Sequence, residues 1–167
     1  MPATPLHVLA LLFLYFKDKK RIDLLALVVS VAFVDLEPLY YLLIGEALDH
    51  RIWHSFLASL TGYSFLITLG VHIVERVFEE RLWFAYRAFR LKPDRVKYPL
   101  SRIYLCSLIG SLSHIFLDML THKAMPYVIY PLFIGNPFYN ESASITVEIA
   151  VILLAIYSCL TWLKERA

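Results

Sequence analysis

Charge is scarce in this chain. Asp, Glu, Lys and Arg make up 18% of its 167 residues, where soluble domains carry about a quarter. Cysteine is scarcer still. Cys106 and Cys159 both sit inside apolar runs, which excludes a disulfide framework and a thiolate metal site. The net charge of +2 is too small to imply a phosphate-backbone partner, so a nucleic-acid module is excluded as well. No internal repeat and no flexible linker divides the chain, and a single domain over residues 1–167 is the expectation at this length. What is abundant is apolar residue, 59% of the total, with a mean hydropathy of +0.63. A soluble domain of this size buries only about 70% of its unfolded surface, so the excess cannot hide in one small core. The composition is that of a small polytopic membrane protein, an all-α bundle whose helices face a lipid bilayer.

A bilayer core needs about 20 apolar residues in helix, within a range of roughly 17–25. Four runs qualify, over residues 22–44, 52–74, 103–120 and 145–163, and a fifth, shorter run covers residues 4–16. That first run of the chain stays short even when extended over residues 1–4. It lacks the basic leading segment of a signal peptide, and its charges (Lys17, Lys19, Lys20, Arg21) follow the apolar part. A retained span or half-span is therefore expected.

The basic residues set the direction. With the N-terminus outside, segments 17–21, 75–102 and 164–167 are cytoplasmic and hold 14 of the 16 Lys and Arg. Arg51 and Lys123 alone fall outside them. The positive-inside bias then predicts an outward N-terminus and a cytoplasmic C-terminus. Within the second of these segments, residues 75–91 place Phe78, Leu82, Tyr86 and Phe89 at helical spacing among arginines, ending at Pro93. This reads either as an interfacial amphipathic helix or as a plain basic loop that sets topology.

Ionisable side chains inside hydrocarbon cost about 2.5–3.5 kcal/mol each on insertion scales and mark functional positions. At 1.5 Å per residue, Asp35 lies roughly 14 Å below the outer end of its span, Glu37 roughly 10 Å, His114 roughly 9 Å and Asp118 roughly 3 Å. His7 and His54 sit at the outer ends of theirs. All therefore share the outer half of the membrane, whereas His72 lies at the cytoplasmic end and is excluded. Glu148, one turn into the last span, is a weak candidate, because an acid there also suits the helix dipole.

Three local patterns carry chemistry. In His114-Ile-Phe-Leu-Asp118, a spacing of four puts both side chains on one helix face, where they can ligate one metal ion. A hydrogen-bonded pair that only holds helices together has the same spacing. His122, four residues further on, falls at the interface, where solvation is expected. In Val34-Asp35-Leu36-Glu37-Pro38, the two acids would diverge by about 200° on a regular helix. Pro38 cannot donate to the carbonyl of Val34 and breaks the span there. Irregular backbone at that depth is tolerated where it is buried or lines a cavity. In Asp49-His50-Arg51-Ile52-Trp53-His54-Ser55, His54 enters the span as a ligand candidate, and His50 and Arg51 are placed to meet an anionic substrate. Thr4-Pro5-Leu6-His7 adds one histidine at the outer face.

In this order the motifs resemble the membrane-bound metal-dependent hydrolases, catalogued as LexA-binding, inner-membrane-associated hydrolases and their relatives. The resemblance runs over roughly residues 1–122. It implies a metal-dependent hydrolase in a multi-pass membrane fold.

The expectation is then a metal-dependent hydrolase with its site on the extracytoplasmic side of the cell membrane. His7, Asp35, His54, His114 and Asp118 are the expected metal ligands, more than one tetrahedral ion requires. A mixed imidazole and carboxylate set suits Zn²⁺ first, with Mn²⁺ or Fe²⁺ as alternatives. Glu37 is the expected general base, and His50 and Arg51 the expected substrate-binding residues. Loop 123–139, rich in Pro, Tyr and Phe, would lie as a lid at the membrane surface, which suits a lipid or phosphoester substrate. Two other readings use the same residues: a scaffolding protein with His–Asp interhelical pairs, and an ion-binding or transport protein with a broken span.

The topology can be tested by labelling. Cysteines introduced as Lys19→Cys and Ala85→Cys are expected to react with an impermeant maleimide only after the membrane is opened, and Asn140→Cys in intact cells. Labelling of position 85 from outside would reverse the assignment.

Overall fold

The computed structural model of the chain describes residues 4–46 and 50–166. The extension of the first run over residues 1–3, and Asp49 in the His50 motif, lie outside the described residues. Among the described residues every regular element is helical. The first run forms α1 (Thr4–Lys17), whose 14 residues cover about 21 Å, short of the roughly 30 Å hydrocarbon core. The second run is divided into α2 (Leu24–Val34) and α3 (Leu36–Leu43). A single 3₁₀ turn (Ile52–His54) precedes α4 (Phe56–Val77), which contains a π turn at Ser59–Tyr63. Then follow α5 (Glu79–Ala88), α6 (Leu100–Thr121) and α7 (Glu141–Arg166). The α2–α3 pair, α4, α6 and α7 are long and apolar enough to cross a membrane.

The boundaries depart from the apolar runs where local hydrogen bonds override hydropathy. Asn140 accepts from the Ala143 N–H at 3.1 Å and caps α7, so that helix starts before residue 145. Ser55 does the same for Ala58 at 3.1 Å, which separates residues 52–54 from the third span. The second span breaks at Asp35, as expected from Pro38, whose missing N–H leaves the carbonyl of Val34 without its partner. Residues 75–77 finish α4, so the basic segment forms a separate helix only from Glu79 to Ala88. On it Leu82 and Tyr86 are half-buried, while Phe84 and Phe89 stay exposed.

Helix α6 runs through the middle of the bundle. Its buried face, Ile103, Ser107, Gly110, Ser111, His114 and Asp118, packs against α2, α4 and α7, and α1 packs along α7. At Gly110 the approach of α2 is so close that an added Cβ would lie 2.7 Å from the Leu27 carbonyl oxygen and 2.0 Å from Ser30 Oγ. The hydroxyls of Ser59 and Ser64 meet that of Ser111 at 2.7 and 3.0 Å, tying α4 to α6. Outside, Leu43, Leu66, Ile73 and Leu153 stay more than half exposed. Small and hydroxyl-bearing residues at the α2–α6 and α4–α6 contacts, under an apolar exterior, suit helices that associate in lipid by close contact and interhelical hydrogen bonds.

The two ends of the bundle differ. At the lysine- and arginine-rich end, the Tyr98 hydroxyl donates to the carbonyls of Lys19 and Ile22, and the Tyr98 N–H donates to Glu75. Asp23 accepts from the Ala26 N–H at 3.1 Å and caps α2, and burial pushes its carboxyl above the ordinary carboxylate range. The histidines other than His72 gather at the opposite end, about 33 Å away along the 22 residues of α6.

Gly110→Ala is expected to lower the unfolding temperature in detergent, since overpacking of this kind costs about 1–3 kcal/mol. Gly70→Ala, where no atom lies within 4 Å of the new Cβ, should leave it unchanged. Equal melting of both variants would contradict the close α2–α6 contact.

Candidate metal centre

Each element delivers its side chain to this end for a local reason. His7 is in the first turn of α1. The break after Val34 turns Asp35 and Glu37 out of one helical register into the interior. The chain before α4 folds through the 3₁₀ turn and carries His50 and His54 inward. His114 and Asp118 continue the buried face of α6, and His122 follows its last residue.

Asp118 is at the middle. Its Oδ2 lies 3.1 Å from His114 Nε2, 3.7 Å from His50 Nε2 and 3.8 Å from His54 Nε2. Its Oδ1 lies 3.6 Å from His122 Nδ1 and 3.8 Å from His7 Nε2. Asp35 Oδ1 stands opposite, 3.3 Å from His114 Nε2 and 3.7 Å from His54 Nε2. Ligand atoms from Asp35, His54, His114 and Asp118 all lie within 4.8 Å of one another, and His50, Asp118 and His122 form a second such group. A buried His/Asp cluster able to hold a metal ion is therefore present.

The hydrogen bonding tests the fit. His54 Nδ1 lies 3.0 Å from Glu37 Oε2, which also accepts from the Arg51 N–H, while Glu37 Oε1 accepts from the Trp53 N–H. A neutral His54 that donates from Nδ1 has a bare lone pair on Nε2, and that lone pair faces only carboxylate oxygens. At 3.7 and 3.8 Å neither contact is a hydrogen bond. Nε2 of His7, His54 and His114 and Oδ1 of Asp118 are all buried without a hydrogen-bond partner. Orphaned buried groups cost about 1–3 kcal/mol each, and a cation between them would satisfy several at once.

Glu37, the expected general base, has its oxygens engaged by three N–H groups, an arrangement that orients His54 as carboxylates behind metal-bound imidazoles do. His7, expected as a ligand, stands behind His114 in the same way. Its Nδ1 is 3.3 Å from His114 Nδ1, and the two rings meet edge to face. If His114 Nε2 is to ligate, its proton must be on Nδ1 and be donated to His7.

His50 is buried rather than exposed to substrate, and its ring packs on those of His54 and His122. Burial, reinforced by the neighbouring His54, lowers its pKa to about 4, so it is a neutral imidazole at physiological pH. The Arg51 guanidinium pairs with Glu46 and stacks 3.7 Å over the Tyr41 ring. His122, which the sequence leaves solvated, is instead brought within reach of Asp118. Its position four residues after Asp118 was the available signal. Glu148 on α7 and His72 on α4 belong to neither group.

Loop 123–139 folds back over this end. The Phe56 N–H donates to the Val128 carbonyl at 3.0 Å, and the Asn136 amide donates to the carbonyls of Met119 and His122, both at 2.7 Å. Between loop and centre is a cavity of about 450 Å³ lined by His50, Arg51, Lys123, Tyr127 and Asn136.

Glu37→Gln tests the orienting role, because N–H donors face both carboxylate oxygens and an amide NH₂ must turn toward one of them. The variant is expected to fold and to bind metal about 10–100-fold more weakly in competition with a chelator. Unchanged affinity would contradict it.

Residues 1–151 match the family described as Domain of unknown function (DUF4184). No curated protein and no solved structure matches the chain. The family match spans most of the 167 residues, and the chain belongs to the DUF4184 family.

Proposed function

We propose that this protein is a membrane-embedded, metal-dependent hydrolase whose centre opens to the extracytoplasmic face and acts on a lipid or phosphoester substrate. The observation that carries the reading is the convergence of partnerless Nε2 atoms of His54 and His114 on the carboxylates of Asp35 and Asp118. Imidazole nitrogen with carboxylate oxygen, and no thiolate, suits zinc first, then manganese or iron. The motif resemblance to the LexA-binding, inner-membrane-associated hydrolases supports hydrolysis, and the distribution of Lys and Arg supports the orientation.

In this reading Glu37 and His7 fix the tautomers of His54 and His114, so that each presents Nε2. A metal ion there would lower the pKa of a bound water toward about 7, supplying a nucleophile at neutral pH. Asp35, whose side chain keeps 26% of its surface exposed against 1–3% for the other three, is the member through which water and protons reach the group. The loop pinned by Asn136 shields the centre at the membrane surface.

Metal analysis by mass spectrometry on detergent-purified protein, made without chelators, tests this. The wild type is expected to carry near-stoichiometric transition metal, and His114→Ala and Asp35→Asn to lose it. Hydrolysis of an aryl phosphoester should vanish with chelator and return with Zn²⁺ or Mn²⁺. A metal-free wild type would leave the histidines as interhelical ties. Bound metal with no hydrolysis, but with proton-coupled uptake in liposomes, would make the protein a transporter.

A further inference from the structure

Asp118 serves two groups, not one. Its Oδ2 faces His114, His54 and His50, and its Oδ1 faces His122 and His7. His50 and His122 take no part in the group formed with Asp35, yet both are within ligand distance of Asp118 and of each other. Their rings approach with centroids 4.7 Å apart, tilted by 43°. His122 Nδ1 meets the Thr121 hydroxyl at 2.9 Å and the Asp118 carbonyl at 3.2 Å, its Nε2 is buried without a partner, and its carbonyl is held by Asn136, so the residue is fixed in place after the helix ends. A carboxylate with imidazoles gathered at both of its oxygens is the arrangement of a bridging ligand.

Resting on the metal reading of Asp35, His54, His114 and Asp118, we propose that the centre takes two divalent ions. The second is held by His50 and His122, Asp118 bridges the pair, and the second ion receives the anionic phosphoryl group of the substrate.

The cavity supports the second half of this statement. It opens over His50, not over Asp35, and Lys123 on its wall makes no ion pair among the described residues. Charge decides which occupancy an anion would tolerate. One divalent ion among Asp35, Glu37 and Asp118 leaves the centre negative, and an anion entering from the cavity would be repelled. Two divalent ions leave it positive by one, with Lys123 adding to the attraction. Pairs of ions about 3.5–4 Å apart recur where both oxygens of a phosphoryl displacement must be stabilised.

The experiment is a titration of chelator-stripped full-length protein in detergent with Mn²⁺, followed by metal count and electron paramagnetic resonance. The wild type is expected to hold two ions per chain with a spin-coupled spectrum, a measurement that needs no variant. His122→Asn and His50→Asn are each expected to hold one ion, with an uncoupled six-line spectrum. Inorganic phosphate should alter the coupled spectrum of the wild type and leave the one-ion spectra unchanged. One ion in the wild type, uncoupled and unaffected by either substitution, would overturn the second site while the first stands. No ion in any form would overturn the metal reading itself. A coupled spectrum indifferent to phosphate would overturn the assignment of the anion.

Discussion

The structure depends on how one buried carboxylate is neutralised. Asp118 lies near the end of a helix long and apolar enough to cross a membrane, with its side chain 3% exposed and five imidazoles around it. A lone carboxylate in such surroundings is costly, and histidine can offset it either as a proton carrier or as a partner in holding a metal. The packing favours the second. Glu37 and His7 each face the far nitrogen of an inner imidazole, which aims the near nitrogen at carboxylate oxygens, 3.7 and 3.8 Å away for His54 and 3.1 and 3.3 Å away for His114. The His54 gaps are too long for proton-mediated pairing.

Around this centre the rest of the chain acts as support. The close approach at Gly110 and the serine contacts of Ser59, Ser64 and Ser111 hold α2, α4 and α6 together just below it. The π turn at Ser59–Tyr63 adjusts the register of α4 where it meets α6, a distortion common beside functional sites. At the opposite end, Tyr98 and Glu75 fasten the loops, while the histidine end carries the cavity over His50.

Much of this was legible in the residues. His114 and Asp118 declared themselves by spacing, and Asp35 by the proline three positions on. Depth along five apolar runs was enough to bring His7 and His54 to the same end. What spacing could not supply was the role of each group. The N–H groups of Arg51 and Trp53 that occupy the Glu37 oxygens are brought there by a 3₁₀ turn that hydropathy does not mark. His122 keeps the spacing of four from Asp118 but lies past the end of its helix, and a loop held by Asn136, fourteen residues away, fixes it beside Asp118. Capping by Asn140 and Ser55 moved two helix starts that hydropathy alone misplaced.

The central claim is that imidazoles and carboxylates at this end hold a transition metal. X-ray absorption at the metal edge, on protein purified without chelators, tests it most directly. The account predicts a first shell of nitrogen and oxygen only, at about 2.0–2.2 Å, with the outer-shell scattering of histidine rings. The absence of a metal edge, or a sulfur shell near 2.3 Å, would contradict it.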